Sequence, residues 1–238
     1  MKATRVAWWL LALGLLVAVW WLWPRQQPLL PVSAAPGSAP EMATAAACAL
    51  PMPVAHGAPP LQGPLPAGAS QVALDDARLL PVAGFSIEAR VLGRADYRLG
   101  REARYSPTDL ALGWGRMRDA AVLAQLDIRQ SGRWYHYRWS GLPPLPPPEI
   151  VASSANMHMI PADAGIAEAL GRVRRDQSVR IDGWLVDVQA RDGWRWRSST
   201  RRDDTGQGAC EIVYVCAVTL LDPARGSGQA TPVPRSPQ

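Results

Sequence analysis

Residues 179–221 read VRIDGWLVDVQARDGWRWRSSTRRDDTGQGACEIVYVCAVTLL, and the fold follows from how this stretch alternates. Val179, Ile181 and Gly183 fall on one face and Arg180 and Asp182 on the other; the period-2 pattern resumes as Leu185 and Asp187 against Val186 and Val188. This predicts a half-buried strand with a bulge or kink at Gly183. Arg191-Asp192-Gly193 supplies a hairpin turn, because Asp-Gly accepts the positive φ angles of a tight connection. On the return strand Trp194 and Trp196 alternate with Arg195 and Arg197. Residues 201–208 are too polar and glycine-rich to pack, and 210–221, rich in β-branched residues, predict a third strand.

Upstream, residues 82–92 alternate around Phe85, Ile87, Ala89 and Val91 and predict another strand. Tyr105-Ser106-Pro107-Thr108-Asp109 reads as a helix start, with Ser106 as cap, Pro107 at the first helical position and Asp109 facing free amides. Leu110, Trp114 and Met117 would share its inner face, although Gly113 and Gly115 weaken a helix. Residues 124–130 and 133–140 predict a hairpin around Ser131-Gly132, with Trp134, His136 and Arg138 on one side and Tyr135, Tyr137 and Trp139 on the other. Residues 143–148 form a proline-rich crossing loop. The polar-small run 153–163 enters a short helix from Asp163 to about Val173, with Ile166, Leu170 and Val173 inward. Few helices and several antiparallel strands predict an α+β, mostly antiparallel domain: a small bent sheet or partial barrel with two short helices.

The N-terminal region carries a different signal. Residues 7–23 are seventeen apolar residues without a charge, after Lys2 and Arg5 and before Pro24 and Arg25. That is the lower end of a membrane-spanning length, and its five tryptophans stand at the two ends, where amphipathic rings favour the interfaces. A signal anchor with residues 1–6 in the cytoplasm is the leading reading; a signal peptide cleaved near 33–35 is the alternative. Residues 24–74 are Pro/Ala/Gly-rich and read as a flexible tether, 75–223 as the folded domain, and 224–238 as a disordered tail. Arginine outnumbers lysine 24 to 1, which points to a GC-rich bacterial genome, so the domain is expected in a periplasm, anchored to the inner membrane.

The four blocks YSPTDLALGWGRM (105–117), SSANMHMIPAD (153–163), VRIDGWLVDV (179–188) and GWRWRSSTRRDDTGQGACEIVYV (193–215) resemble a family of uncharacterised proteobacterial membrane-anchored proteins, over about 75–218. The resemblance implies kinship and domain extent and brings no activity.

Chemistry in the residues themselves reduces to a few candidates. Cys210, His158 and Asp204 are the catalytic set, a thiolate needing a base and the base an orienter; Asp203 and Asn156 are alternative orienters. No local cysteine-peptidase or L,D-transpeptidase motif accompanies them, and a cysteine on an apolar strand is ordinarily a small core residue. Ser154, Asn156, Trp194, Arg197, Ser199 and Arg202 are the binding candidates: a hydrogen-bonded clasp if closed, the floor of a groove if open to solvent. In one extended strand Cys210 and Cys216 stand about 20 Å apart and cannot bond, so both are reduced or one pairs with Cys48, itself otherwise an incidental tether residue. His56, His136 and His158 lack metal-ligand spacing, so no metal or cofactor is expected.

The net charge of +5 is spread among mixed charges, which disfavours nucleic acid as partner. The leading function is non-catalytic binding or scaffolding of an envelope protein or glycan. The alternatives are a thiol-dependent hydrolase or transferase, and an OB-like oligosaccharide or nucleic-acid binder using Trp184, Trp194 and Arg197, which requires those rings to face outward.

Overall fold

The computed structural model describes residues 48–201 and 210–221. In chain order the strands are β1 (Leu61–Gly63), β2 (Val72–Ala73), β3 (Ala77–Asp96), β4 (Thr108–Gly113), β5 (Asp127–Ser131), β6 (Trp134–Arg138), β7 (Ser154–Pro161), β8 (Ser178–Ala190), β9 (Arg195–Trp196) and β10 (Glu211–Leu221). The helices are α1 (Arg101–Tyr105), α2 (Ala120–Leu123), α3 (Pro147–Ala152) and α4 (Ala164–Arg172), with a 3-10 turn at Gly115–Arg118. The result is a strand-rich, mostly antiparallel α+β fold with few helices.

Two long strands carry it. β3 and β8 pair antiparallel from Ala77↔Ala190 to Arg90↔Ser178. β3 also pairs with β4, β4 with β7, β7 in parallel with β10, and β10 with β8, so the ladder returns to its start through five strands. Alternation then sorts the side chains. Phe85, Ile87, Leu110, Leu112, Met157, Met159, Val179, Ile181, Val213 and Val215 share one buried cluster, and α4 adds Leu170 and Val173. Asp163, where the helix is expected to begin, caps α4 by accepting the Ile166 N–H at 2.8 Å. At the other end, the Leu170 and Val173 carbonyls accept hydrogen bonds from Arg94.

A bulge between Pro81 and Ala83 reverses which residues of β3 face this cluster. Ala77 and Leu79 therefore join Trp184, Val186, Val188, Ile212 and Tyr214 in a second buried cluster on the opposite face. The expected irregularity at Gly183 is also present. Gly183 faces Val215, where β10 bulges, and a Cβ there would lie 2.0 Å from the Tyr214 carbonyl oxygen. Only glycine lets the two backbones come this close.

Four expectations change. Residues 105–117 are not a helix: α1 ends where the helix was to start, with the Ser106 N–H bonded to the Glu102 carbonyl, and Thr108–Gly113 is a strand held between β3 and β7. Residues 154–161, read as a polar entry to a helix, are strand β7, with Ala155, Met157 and Met159 against the first cluster and Ser154, Asn156 and His158 on the other face. The proline-rich crossing at 143–148 runs into α3, with proline in its first turn. The predicted hairpin is β5–β6, turning at Gly132 and Arg133, both with positive φ, and its Tyr135, Tyr137 and Trp139 stack in a row.

The fourth concerns residues 48–74, which do not behave as a tether. Cys48 is disulfide-bonded to Cys216, with 5.4 Å between Cα atoms. From there the chain crosses the outer face of β10, β8 and β3. The Ala49 carbonyl accepts the Trp184 indole N–H at 2.7 Å, and Val54 donates its N–H to Ser86 Oγ and accepts from Arg180 at its carbonyl. His56 Nδ1 donates to Glu88, which also pairs with Arg180. The Ser86 hydroxyl in turn donates to Asp182. Gly84 admits this strap, since a Cβ there would meet the Pro64 carbonyl at 2.7 Å. Cys48 is thus a structural crosslink and not an incidental residue. Among the described residues no helix is long and apolar enough to cross a membrane. The expected span 7–23, residues 24–47 and the tail 224–238 lie outside the described residues.

Candidate functional site

The outer face of β4 and β7 holds the densest polar cluster. Asp109 and His158 are direct cross-strand partners, and Asp109 is fully buried. A buried carboxylate must be matched by donors, and three converge on it. His158 Nδ1 donates to Oδ1 at 2.9 Å, Arg133 Nη1 donates to the same oxygen at 2.7 Å, and Asn156 Nδ2 donates to Oδ2 at 3.2 Å. Arg133 comes from the β5–β6 turn, where its φ is positive, and reaches Asp109 on β4. The same turn closes over Asn156, which donates to the Arg133 carbonyl and accepts from Gln130. Gly93 leaves room for Gln130, since a Cβ there would stand 2.5 Å from Gln130 Oε1.

Aromatic rings wall this cluster. Trp196 lies 4.7 Å from the His158 ring, and the Arg133 guanidinium lies 4.0 Å above Tyr97. Burial pushes the Tyr97 hydroxyl above its ordinary pKa, with the Asp109 charge adding to it, while the Arg133 backbone N–H donated to the hydroxyl oxygen and the guanidinium pull the other way. The ring row continues from Trp196 to Trp194 at 6.2 Å and from Trp194 to Tyr105 at 5.9 Å. Arg101 covers Trp194 at 5.3 Å and pairs with Asp192 at 2.6 Å. Through these contacts the loop 97–107, joining β3 to β4, meets the loop 191–201 that follows β8.

The sequence candidates are distributed among several places. His158 is buried between Asp109 and Trp196, with the Asp109 carboxylate bonded to its Nδ1, while Asn156 bonds Asp109 and not the imidazole; Asp203, Asp204 and Arg202 lie outside the described residues. In the parallel ladder Ile212 is the residue beside His158, which leaves Cys210 one row away, about 8 Å between Cα atoms by strand spacing. Cys210 is half-buried and outside the disulfide. Ser154, Asn156 and Ser199 are each less than a tenth exposed, which suits a clasp and not a groove floor.

They do not form one cluster, however. Ser154 donates to the Ile150 carbonyl and touches the Tyr135 hydroxyl, whose pKa burial raises. Ser199 closes its own turn with Arg201 and bonds through its N–H to the Cys210 carbonyl. Trp184 is fully buried, so it fails the outward-facing condition set for an OB-like binding face and presents no ring to a ligand, whereas Trp194 is half-buried and Arg197 exposed.

Asp109 and Arg133 were missed as site residues. The signal for Asp109 was the alternation of Asp109 and Ala111 with Leu110 and Leu112 in TDLALG, a strand period hidden by the Ser-Pro pair before it. Nothing local marks Arg133. Among the described residues no group of three or more His, Cys, Asp or Glu side chains is placed to hold a metal ion. No protein-family model matches the chain, and no curated protein or solved structure is significantly similar to it.

Proposed function

We propose that this chain is a membrane-anchored module that binds an envelope protein or glycan outside the cytoplasmic membrane, without chemistry of its own. The observation that carries the reading is the strand order. Counting β3, β4, β7, β8 and β10 as first to fifth, the ring runs first, second, third, fifth, fourth and back to first, with α4 between third and fourth. That connectivity is shared with the OB barrel, whose binding surface is made by the loops joining the first to the second strand and the fourth to the fifth. Here those are 97–107 and 191–210, and within 97–107 and 191–201 seven arginines stand against Glu102 and Asp192 alone. Half-buried Trp194 and Trp196 lie between them.

The apolar segment 7–23 supports the anchor, and the Cys48–Cys216 disulfide supports an oxidising compartment such as a periplasm. Kinship with the uncharacterised proteobacterial membrane-anchored family rests on the four sequence blocks. Titrating the full chain with peptidoglycan fragments, neutral and anionic glycans and envelope peptides, and following tryptophan emission, tests the reading. Saturable binding weakened about tenfold or more by Trp194→Ala is expected. A flat response to the whole set overturns it.

One contact favours a second reading. The 2.9 Å bond from His158 to Asp109 would orient an imidazole as base for the Cys210 thiol. Alkylation of Cys210 half-maximal well below pH about 8.5, and returned to ordinary values in His158→Ala, would establish a thiol-dependent hydrolase or transferase. An unreactive thiol removes this reading, and the burial of His158 beneath Trp196 argues for that outcome.

A further inference from the structure

Several arginines in and around the two binding loops already hold carboxylates. Arg101 pairs with Asp192, Arg104 with Asp76, Arg133 with Asp109, and Arg180 with Glu88. Among the described residues the side chains of Arg195 and Arg197, like those of Arg98 and Arg191, make no hydrogen bond or ion pair; what sets Arg195 and Arg197 apart is the pocket they share. Arg195 in β9 and Arg197 just after it, two residues apart, leave the chain on the same face while Trp196 packs on the other. Both line a pocket of about 210 Å³, together with Leu80, Asp187, Val188 and Gln189.

The remaining polar groups of the pocket are arranged around a donor-rich wall. Gln189 accepts a hydrogen bond from Arg78 at its Oε1, which leaves its amide N–H groups as donors. Asp187, the one carboxylate of the lining, accepts the Ser198 backbone N–H at 3.0 Å through one oxygen. Two uncommitted guanidinium groups and an amide donor against one partly satisfied carboxylate leave a net positive site. The space is below the roughly 300–1,000 Å³ of a drug-sized ligand site, so it suits one terminal group and not a whole chain.

We propose that this pocket binds a single anionic group, a phosphate or carboxylate carried by the partner, with Arg195 and Arg197 as its forked donors. The inference rests on the binding reading above and supplies the chemical class of the partner: a chain lying along the 97–107 and 191–201 loops and bearing an acidic group at the β8–β9 end. Binding is expected to weaken as salt rises, because the arginines are exposed.

The test uses the full chain in detergent, with inorganic phosphate as probe and line broadening of its phosphorus NMR signal as readout. Saturable broadening is expected in the wild type, about tenfold weaker in Arg195→Ala and in Arg197→Ala, and unchanged in Arg129→Ala. The thermal midpoint should stay put in both pocket variants, since among the described residues neither side chain makes a hydrogen bond or ion pair. Absence of saturable broadening, or broadening indifferent to both pocket substitutions, overturns the proposal. Competition separates the sources: displacement of phosphate by a short-chain phosphatidylglycerol and not by phosphatidylcholine assigns the group to a lipid headgroup. Displacement by a uronate oligosaccharide assigns it to a glycan, and either result supports the pocket. If phosphate binds while the Trp194-dependent titration is flat, the pocket stands and the wider binding reading falls; the reverse pattern removes the pocket alone.

Discussion

Removing the Cys48–Cys216 crosslink, in Cys48→Ser/Cys216→Ser, should lower stability more than any single surface change. The two cysteines are separated by 168 residues, so the bond closes a loop that takes in every strand but the end of β10. In the chain-entropy treatment a loop of this length removes about 17 cal/mol/K from the unfolded state, or about 5 kcal/mol at 25 °C. Native-state contacts offset none of it directly, because the strap remains held without the bond. The Trp184–Ala49, Val54–Ser86 and Arg180–Val54 hydrogen bonds stay in place, each worth about 1 kcal/mol or more. Residual structure in the unfolded chain reduces the measured value, so about 3–5 kcal/mol is expected. With a urea slope of about 2 kcal/mol/M, the midpoint moves down by about 2 M. Urea unfolding of the full chain in detergent, followed by tryptophan emission, reads this shift, and Cys210→Ala serves as the neutral comparison. A midpoint change under about 0.5 M at unchanged slope would refute the reasoning. It would mean that the strap does not constrain the chain.

Asp109→Ala should cost about 3–5 kcal/mol, because it strands the Arg133 guanidinium and the His158 and Asn156 donors around a buried gap; a loss below about 1 kcal/mol in chemical denaturation would show the cluster to be dispensable. Gly183→Ala should cost about 3 kcal/mol or more, or prevent folding, since its Cβ would meet the Tyr214 carbonyl at 2.0 Å, and a soluble variant with wild-type melting would contradict that contact. Burial raises the hydroxyls of Tyr105 and Tyr214 to about 12, with the hydrogen bond to Asp76 adding to the shift at Tyr105. A folded pKa above the unfolded value gives stability that is complete below pH about 10 and lost as pH climbs towards about 12. Tyrosinate absorbance should therefore appear together with unfolding in that window, and full tyrosine ionisation in a still-folded protein near pH 10 would contradict it.

Elements read correctly from the residues were those whose signal is local. The alternation around Phe85, Ile87, Ala89 and Val91, the hairpin at Gly132, and the Asp163-capped helix with Leu170 and Val173 inward all depend on neighbours within a few positions. β4 and β7 were missed because local cues conflicted with long-range pairing. Ser106-Pro107 suits a helix start, and Leu110, Trp114 and Met117 fit a helical stripe, yet backbone bonding to β3 on one side and β7 on the other makes 108–113 a strand. In the site, His158 and Asn156 were singled out while their shared partner was not. Asp109 reaches His158 across 49 positions and Arg133 across 24, distances at which a single sequence carries no pairing signal.

The residues alone settle the strand-rich character, the glycine-kinked bend at 183 and the helix near 164–172, since each is written in side-chain period, turn chemistry or capping over one element. The ring closure of β8 on β3, the meeting of 97–107 with 191–201, and the bonding of Cys48 to Cys216 belong to the folded chain. Composition assigned 48–74 to a tether because it is rich in Pro, Ala and Gly and almost without charge. Its ordering comes from elsewhere, from a disulfide and from hydrogen bonds offered by Trp184, Ser86 and Arg180, on strands that begin some 30 to 130 residues further along the chain. The few side chains it buries, Val54, Val72 and Leu74 among them, find their cover only on the surface that the rest of the fold presents.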